Sequence, residues 1–163
     1  MNKIRVWLAS NSESCPARPR LTGDSALEWI GQSDLSGDAL TRIEATQPQV
    51  LVLGTDSHDR RLNRILKRLT SALPATRIIV YSQSQDKRFV MRLLRQGVHG
   101  YLSKVELDTE LTHAIQIVMQ GNVFLCPSAS GALVREYRKR ARARKQNVSL
   151  SPSLNRIITG KAE

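Results

Sequence analysis

The sequence predicts an α/β fold, a doubly wound parallel sheet with crossover helices. Three observations carry that expectation. Short apolar runs alternate with longer stretches of helical periodicity, two of those runs are apolar without interruption, and the amphipathic stretches between them carry a basic outer face.

Ile4 to Ala9 reads as the first strand. From Ser12 to Ser25 the regularity breaks: Pro16 and Pro19 would interrupt a continuous helix and Gly23 weakens its end, so no full first helix is expected. Trp29 to Ser33 gives a second strand. Val50 to Gly54 and Ile78 to Ser82 are the third and fourth, and their unbroken Val/Leu/Ile content fits positions buried on both faces, which makes them central. Around them, Leu62, Ile65, Leu66 and Leu69 fall at helical spacing, as do Val90, Leu93 and Leu94. Arg60, Arg61, Arg64, Lys67, Arg68, Arg88, Arg92 and Arg95 are interspersed, giving two amphipathic helices.

Gly100 to Ser103 is a fifth strand. Asp108 then stands where it can accept from the free amides of a helix whose apolar stripe is Leu111, Ala114, Ile115 and Val118, with Gly121 as a left-handed terminator. After Pro127 the composition changes. Ala132, Leu133, Val134 and Tyr137 hold one more helix, whose second half is a dense basic block of Arg135, Arg138, Lys139, Arg140, Arg142, Arg144 and Lys145. Past Gln146 the chain turns polar, then offers Ser151-Pro152 as a cap and first-turn pair ahead of Leu154, Ile157 and Ile158. Three regions follow: a body over 1–127, a basic linker helix over 128–147 and a short helical stub over 148–163.

The chain's 163 residues leave room for one domain of ordinary size and a tail. Lys and Arg number 25 against 14 acids, a formal charge of +11, which favours contact with nucleic acid, an anionic surface or an acidic protein over a plain solvated surface. Cys15 and Cys126 are far apart and lack any CxxC or Cys/His grouping, so the expectation is reduced thiols in a cytoplasmic protein, with no disulfide framework and no zinc. No stretch approaches the roughly 18 apolar residues of a membrane span, and Met1-Asn2-Lys3-Ile4 runs straight into a strand pattern. Nothing is expected to anchor or export the chain.

Enzyme motifs are missing: GxxxxGK[ST], GxGxxG after a strand, HExxH and GxSxG do not occur. His58, His99 and His113 are separated and have no obvious nucleophile or ligand partner. Catalysis is not expected, and no cofactor is implied.

Arg77-Ile-Ile-Val-Tyr-Ser82, Gln96-Gly-Val-His-Gly-Tyr-Leu-Ser-Lys104 and Gly121-Asn-Val-Phe-Leu-Cys-Pro127 are preceded by Ser36-Gly-Asp-Ala-Leu40 and Gln47-Pro-Gln-Val-Leu-Val-Leu53. In order and spacing they resemble the receiver domain of LuxR/NarL-type bacterial response regulators, over most of Ile4 to Pro127. The resemblance implies a flavodoxin-like (CheY-like) sheet of five parallel strands, with a C-terminal basic helical extension. In such receivers paired acids after the first strand hold magnesium, an aspartate ending the third strand takes the phosphoryl group, and a hydroxyl and a lysine contact its oxygens.

Here the first-strand positions are Ser10 and Asn11, and the acceptor position is Gly54. Magnesium wants carboxylate oxygens and phosphoryl transfer wants a nucleophile, so two neutral residues and a hydrogen can do neither. Ser82, Tyr101 and Lys104 do match the family's switch hydroxyl, switch aromatic and lysine, as a retained device or as structural remnants. Asp56 is the one nearby carboxylate, either a displaced acceptor or a loop residue. The expectation is a degenerate phospho-pocket of Ser10, Asn11, Gly54, Asp56, Ser82, Tyr101 and Lys104 in a phosphorylation-independent pseudo-receiver.

The resemblance also implies a partner or homodimer face on the family's fourth helix, fifth strand and fifth helix, here about Gln85 to Gln120, with Met91, Arg95, His99 and His113 as candidates. It would place a helix-turn-helix reader after the linker, starting near Leu150. The sequence stops at Glu163, before the two further helices such a reader needs. Natural truncation and a lost reader both stay open. Two other readings stand beside the regulatory one. The basic helix could bind DNA or RNA phosphates without base specificity, aromatics being only 4% of the chain, and the pocket could take some ligand other than phosphate.

Overall fold

In the computed structural model, which describes residues 2–11, 24–56 and 59–149, strands and helices alternate. In chain order they are β1 (Ile4–Ser10), β2 (Leu27–Ser33), α1 (Gly37–Thr46), β3 (Val50–Gly54), α2 (Leu62–Ala72), β4 (Arg77–Ser82) and α3 (Lys87–Arg95). Then come β5 (Gly100–Ser103), a 3-10 turn over Lys104–Glu106, α4 (Leu107–Met119), β6 (Phe124–Leu125) and α5 (Pro127–Ser149). The strands form one sheet in the order β2-β1-β3-β4-β5-β6, and every pairing is parallel. The five expected strands are present, and β2 begins earlier than expected, at Leu27. The Pro16/Pro19 stretch, Cys15, His58 and the stub from Leu150 lie outside the described residues.

β3 and the apolar part of β4 are buried throughout, as a central position with a helical layer on each face requires. β2 is half exposed, as an edge strand is. A bulge between Val6 and Trp7 shifts its register, and a Cβ at Gly31 would overlap the Trp7 indole, so the glycine makes room for that ring.

Local signals set the helix limits. Ser36 caps α1 by accepting from the Ala39 amide at 3.3 Å, and its own amide and hydroxyl are held by Asp34. Asp86 caps α3 through the Arg88 amide at 2.9 Å. The α2 stripe is the expected one, Leu62, Ile65, Leu66 and Leu69. In α3 the buried set is Phe89, Val90 and Leu93, with Leu94 only half buried. Gly121 ends α4 at φ +88°, where its amide reaches the Val118 carbonyl.

Two expectations need correction. Asp108 does not cap α4: the 3-10 turn brings the helix start forward to Leu107, so Asp108 lies inside the first turn and Glu106 takes the cap position without a side-chain bond to the helix. The sheet also gains β6. Its Phe124 amide donates to the His99 carbonyl and the Cys126 amide to the Tyr101 carbonyl, so the first half of β5 is covered along its outer edge.

The chain forms two compact units, Met1–Ala129 and Ser130–Glu163. The first contains the sheet. Of the second, the described part is the larger share of α5. No helix among the described residues is long and apolar enough to cross a membrane.

Candidate functional site

Parallel register brings the C-terminal ends of the central strands together, the edge where open α/β sheets hold ligands. Ser10 lies beside Gly54, Gly54 beside Tyr81, and Ser82 beside Ser103. A pocket of about 190 Å³ opens there, lined by Ser10, Gly54, Thr55, Asp56, Tyr81, Ser82, Gln83 and Lys104. Five of the seven expected pocket residues therefore meet: Ser10, Gly54, Asp56, Ser82 and Lys104. Asn11 and Tyr101 do not line it.

Tyr81 was not expected there, and it governs the site. Its side chain is 3% exposed, and a Cβ placed on Gly54 would overlap the phenol ring and hydroxyl while standing 2.8 Å from Ser10 Oγ. The space an acceptor side chain would use is filled from the neighbouring strand. Gly54 has no positive φ to explain it. Close approach of another group is the remaining reason for a glycine inside a buried strand.

Arg61 was also missed. Its guanidinium donates from Nη2 to Asn11 Oδ1 at 2.6 Å, and its backbone amide is held by Asp59. The magnesium that the resemblance implies does not fit these residues. Ser10 offers a hydroxyl, the Asn11 oxygen is already taken by a cation, Gly54 has no donor side chain, and among the described residues Asp56 is the only carboxylate lining the pocket. Among the described residues no three His, Cys, Asp or Glu side chains gather in a metal-holding group.

Tyr101 is folded inward. It is 1% exposed, its hydroxyl donates a short hydrogen bond to the Ser84 carbonyl, and Phe89 meets it edge-on at 6.2 Å between centroids. The Ser84 amide in turn donates to Ser82 Oγ at 3.1 Å, so the matching hydroxyl and aromatic hold one loop between them. Burial pushes the Tyr101 phenol up to about 12, with the nearby Cys126 adding to the rise. No carboxylate among the described residues lies within ion-pair distance of Lys104.

Beyond Lys104 lies a cluster that the sequence did not announce. Glu106 Oε2 accepts from Ser103 Oγ at 2.5 Å and from Ser128 Oγ at 2.9 Å, and Cys126 Sγ lies 3.3 Å from Ser128 Oγ. Burial works to raise the Glu106 carboxyl, but hydrogen bonds from Ser103, Cys126 and Ser128 outweigh it and hold the group below the ordinary 4.5. Burial pushes the Cys126 thiol up. The carboxylate thus ties the β5–α4 turn to the first turn of α5, while Val105 beside it is 91% exposed.

A carboxyl depressed in the folded state stabilises the fold above the unfolded value near 4.5 and loses that contribution as pH falls through the folded one. Glu106→Gln should therefore be less stable than the parent at neutral pH. In denaturant titrations across pH the two curves should converge at the acid end; parallel curves would show that the cluster contributes nothing.

Of the expected partner-face residues, Met91 and Arg95 lie one turn apart and exposed on α3. His113 is exposed on α4, 3.6 Å from Glu110 and edge-on to Phe124 at 5.5 Å. His99 has a structural role instead. Its Nδ1 accepts from the Ile78 amide at 3.1 Å, and burial first, then the charge of Arg77, lowers its pKa.

On α5, Arg135, Arg138, Arg142 and Lys139 are exposed at helical spacing on one side. Arg140 turns to Glu136 one turn back, at 3.1 Å. Arg144 and Lys145 are exposed as well.

No family model matches the sequence. Among curated proteins it is similar to the transcriptional regulatory protein DegU of Brevibacillus brevis, at 26% identity over 73% of this chain and 50% of that one. It is also similar to a probable transcriptional regulatory protein NarL of Mycobacterium tuberculosis, at 29% identity over 87% of this chain and 67% of that one. The chain spans about half the length of the first relatives it matches. Among solved structures, a LuxR-family two-component response regulator from Aurantimonas superposes with a TM-score of 0.72 at 18% identity, covering 83% of this chain and 99% of that one. The isolated receiver domain of RcsB from Salmonella enterica, in its apo form, superposes with a TM-score of 0.68 at 20% identity, covering 80% and 98%. The chain has the CheY-like receiver fold, and its relatives are response regulators of transcription.

Proposed function

We propose that this chain is a response-regulator-like module of transcriptional control that works without aspartyl phosphorylation. One observation carries the reading: the Tyr81 ring occupies the space above Gly54 that an acceptor side chain needs. The neutral Ser10 and the pairing of Arg61 with Asn11 support it, since the Asn11 oxygen is committed to a guanidinium and neither residue offers a carboxylate to a divalent cation. What remains of the receiver is a rigid scaffold with Tyr101 turned inward, working through contact with another protein or a second copy. The surface around α3, β5 and α4 is the candidate, through Met91, Arg95 and His113. Among the structural neighbours, RcsB has been seen as two dimers bound to two parallel DNAs, which lends weight to a self-associating regulator.

Incubation with acetyl phosphate and magnesium, followed by intact-mass measurement, tests the reading. The mass is expected to stay that of the unmodified chain. Sedimentation velocity should give the same profile with and without beryllium fluoride. A stoichiometric phosphoryl adduct, on Asp56 or any other aspartate, would overturn the proposal.

A further inference from the structure

We infer that α5 carries a binding surface for the phosphates of duplex DNA, formed by Arg135, Arg138, Lys139 and Arg142. These residues sit at i, i+3, i+4 and i+7, so they share one side of the helix over a rise of about 10 Å. All four are exposed. The sole acid between Ser130 and Ser149 is Glu136, and Arg140 engages it away from this stripe. The stripe is therefore uniformly cationic, in a chain whose formal charge is already +11.

The rest of the helix argues for DNA over other polyanions. An anionic bilayer would call for an apolar face opposite the cations. Here Leu133, Val134 and Tyr137 begin such a face, but Arg140 and Arg144 interrupt it one and two turns on. Single strands are held largely by aromatic stacking, and Tyr137, the only aromatic on α5, lies across the helix from the stripe. A duplex needs neither. It offers a charge about every 1.7 Å of its axis, so a one-sided stripe of four cations over about 10 Å can run alongside several phosphates. The surface belongs to α5 alone, and its test is separate from that of the pocket.

The full chain is titrated into labelled duplex DNA of arbitrary sequence at a series of salt concentrations, with anisotropy as readout. Four phosphate contacts at about −0.9 each give a log–log slope of about −3.6, or roughly a hundredfold loss of affinity for a fourfold rise in salt. The variant with Arg135, Arg138, Lys139 and Arg142 all changed to Gln should lose most of the binding and of the slope. Gln matches Arg and Lys closely in helix propensity, and circular dichroism should find the helix content retained. The control removes four exposed cations from the body, Arg60, Arg64, Lys67 and Arg88, also to Gln. It should keep a slope close to the parent's. Equal losses in both variants would mean net charge and no site, and absence of binding at low salt would remove the surface altogether. Equal or tighter binding of single strands or of phosphatidylserine vesicles, with the same dependence on the stripe, would overturn duplex DNA as the occupant.

Discussion

Gly54→Ala is expected to destabilise the chain by about 1–3 kcal/mol, the ordinary cost of overpacking a filled core. The sign is the informative part. In an extended strand the same change usually stabilises by roughly 0.5–1 kcal/mol, because glycine loses more backbone freedom on folding. Only the overlap with Tyr81 reverses it, so the background decides the outcome. Tyr81→Ala alone should cost about 3–5 kcal/mol as an emptied aromatic site. On top of Tyr81→Ala, Gly54→Ala should become neutral or favourable, a coupling of about 0.5–3 kcal/mol in a double-mutant cycle read from denaturant midpoints. Additive effects would mean that the two positions do not share space.

Gly54→Asp extends the same logic to chemistry. By itself it must fit both bulk and charge against the phenol, and should lower stability by about 2–4 kcal/mol without accepting a phosphoryl group. Relieving the overlap with Tyr81→Ala restores room, but Ser10 and Asn11 still provide no carboxylate for the metal, and Arg61 still occupies the Asn11 oxygen. Labelling by acetyl phosphate should remain absent in the pair of substitutions too. If the double variant becomes phosphorylated, the metal-holding half of the pocket is more capable than its residues imply.

The sheet was legible in the sequence because burial on both faces leaves its mark on every residue of Val50–Leu53 and Ile78–Val80, and because Ser36 is a local cap signal. That Ser10 and Gly54 end β1 and β3 was legible too, since identity at a strand end is all that question requires. Tyr81 was not. That it shares a level with Gly54 is a matter of inter-strand register, twenty-seven residues away in the chain, and the only hint is a glycine ending a buried strand with an aromatic one place before the next strand's hydroxyl. Arg61 reaches Asn11 across fifty residues through a flexible side chain, for which periodicity gives no sign. Asp108 failed as a cap for a local reason. The 3-10 turn sets the start of α4 two residues earlier, and the carboxylate in the cap position, Glu106, is turned to Ser103 and Ser128.

Tyr101→Ala is expected to cost about 3–5 kcal/mol, more than a residue with a solvent-facing alternative would lose. In a working switch the aromatic has two places to be, and truncation mainly shifts the balance between them. Here the ring is enclosed against Phe89 and its hydroxyl is committed to the Ser84 carbonyl, so no second place compensates. Tyr101→Phe isolates the hydroxyl and should cost about 1–2 kcal/mol, the carbonyl being left without its donor. Titration offers an independent reading. The fold favours the neutral phenol, so the contribution is complete below the ordinary 10.0 and is lost as pH rises to about 12; two pH units correspond to about 2–3 kcal/mol. The parent should therefore lose more stability across that window than Tyr101→Phe, and tyrosinate absorbance should report a late-titrating phenol that the variant lacks. A Tyr101 that ionises near 10 would place the ring in solvent for much of the time, and the inward-locked scaffold proposed for this chain would give way to a receiver that still switches.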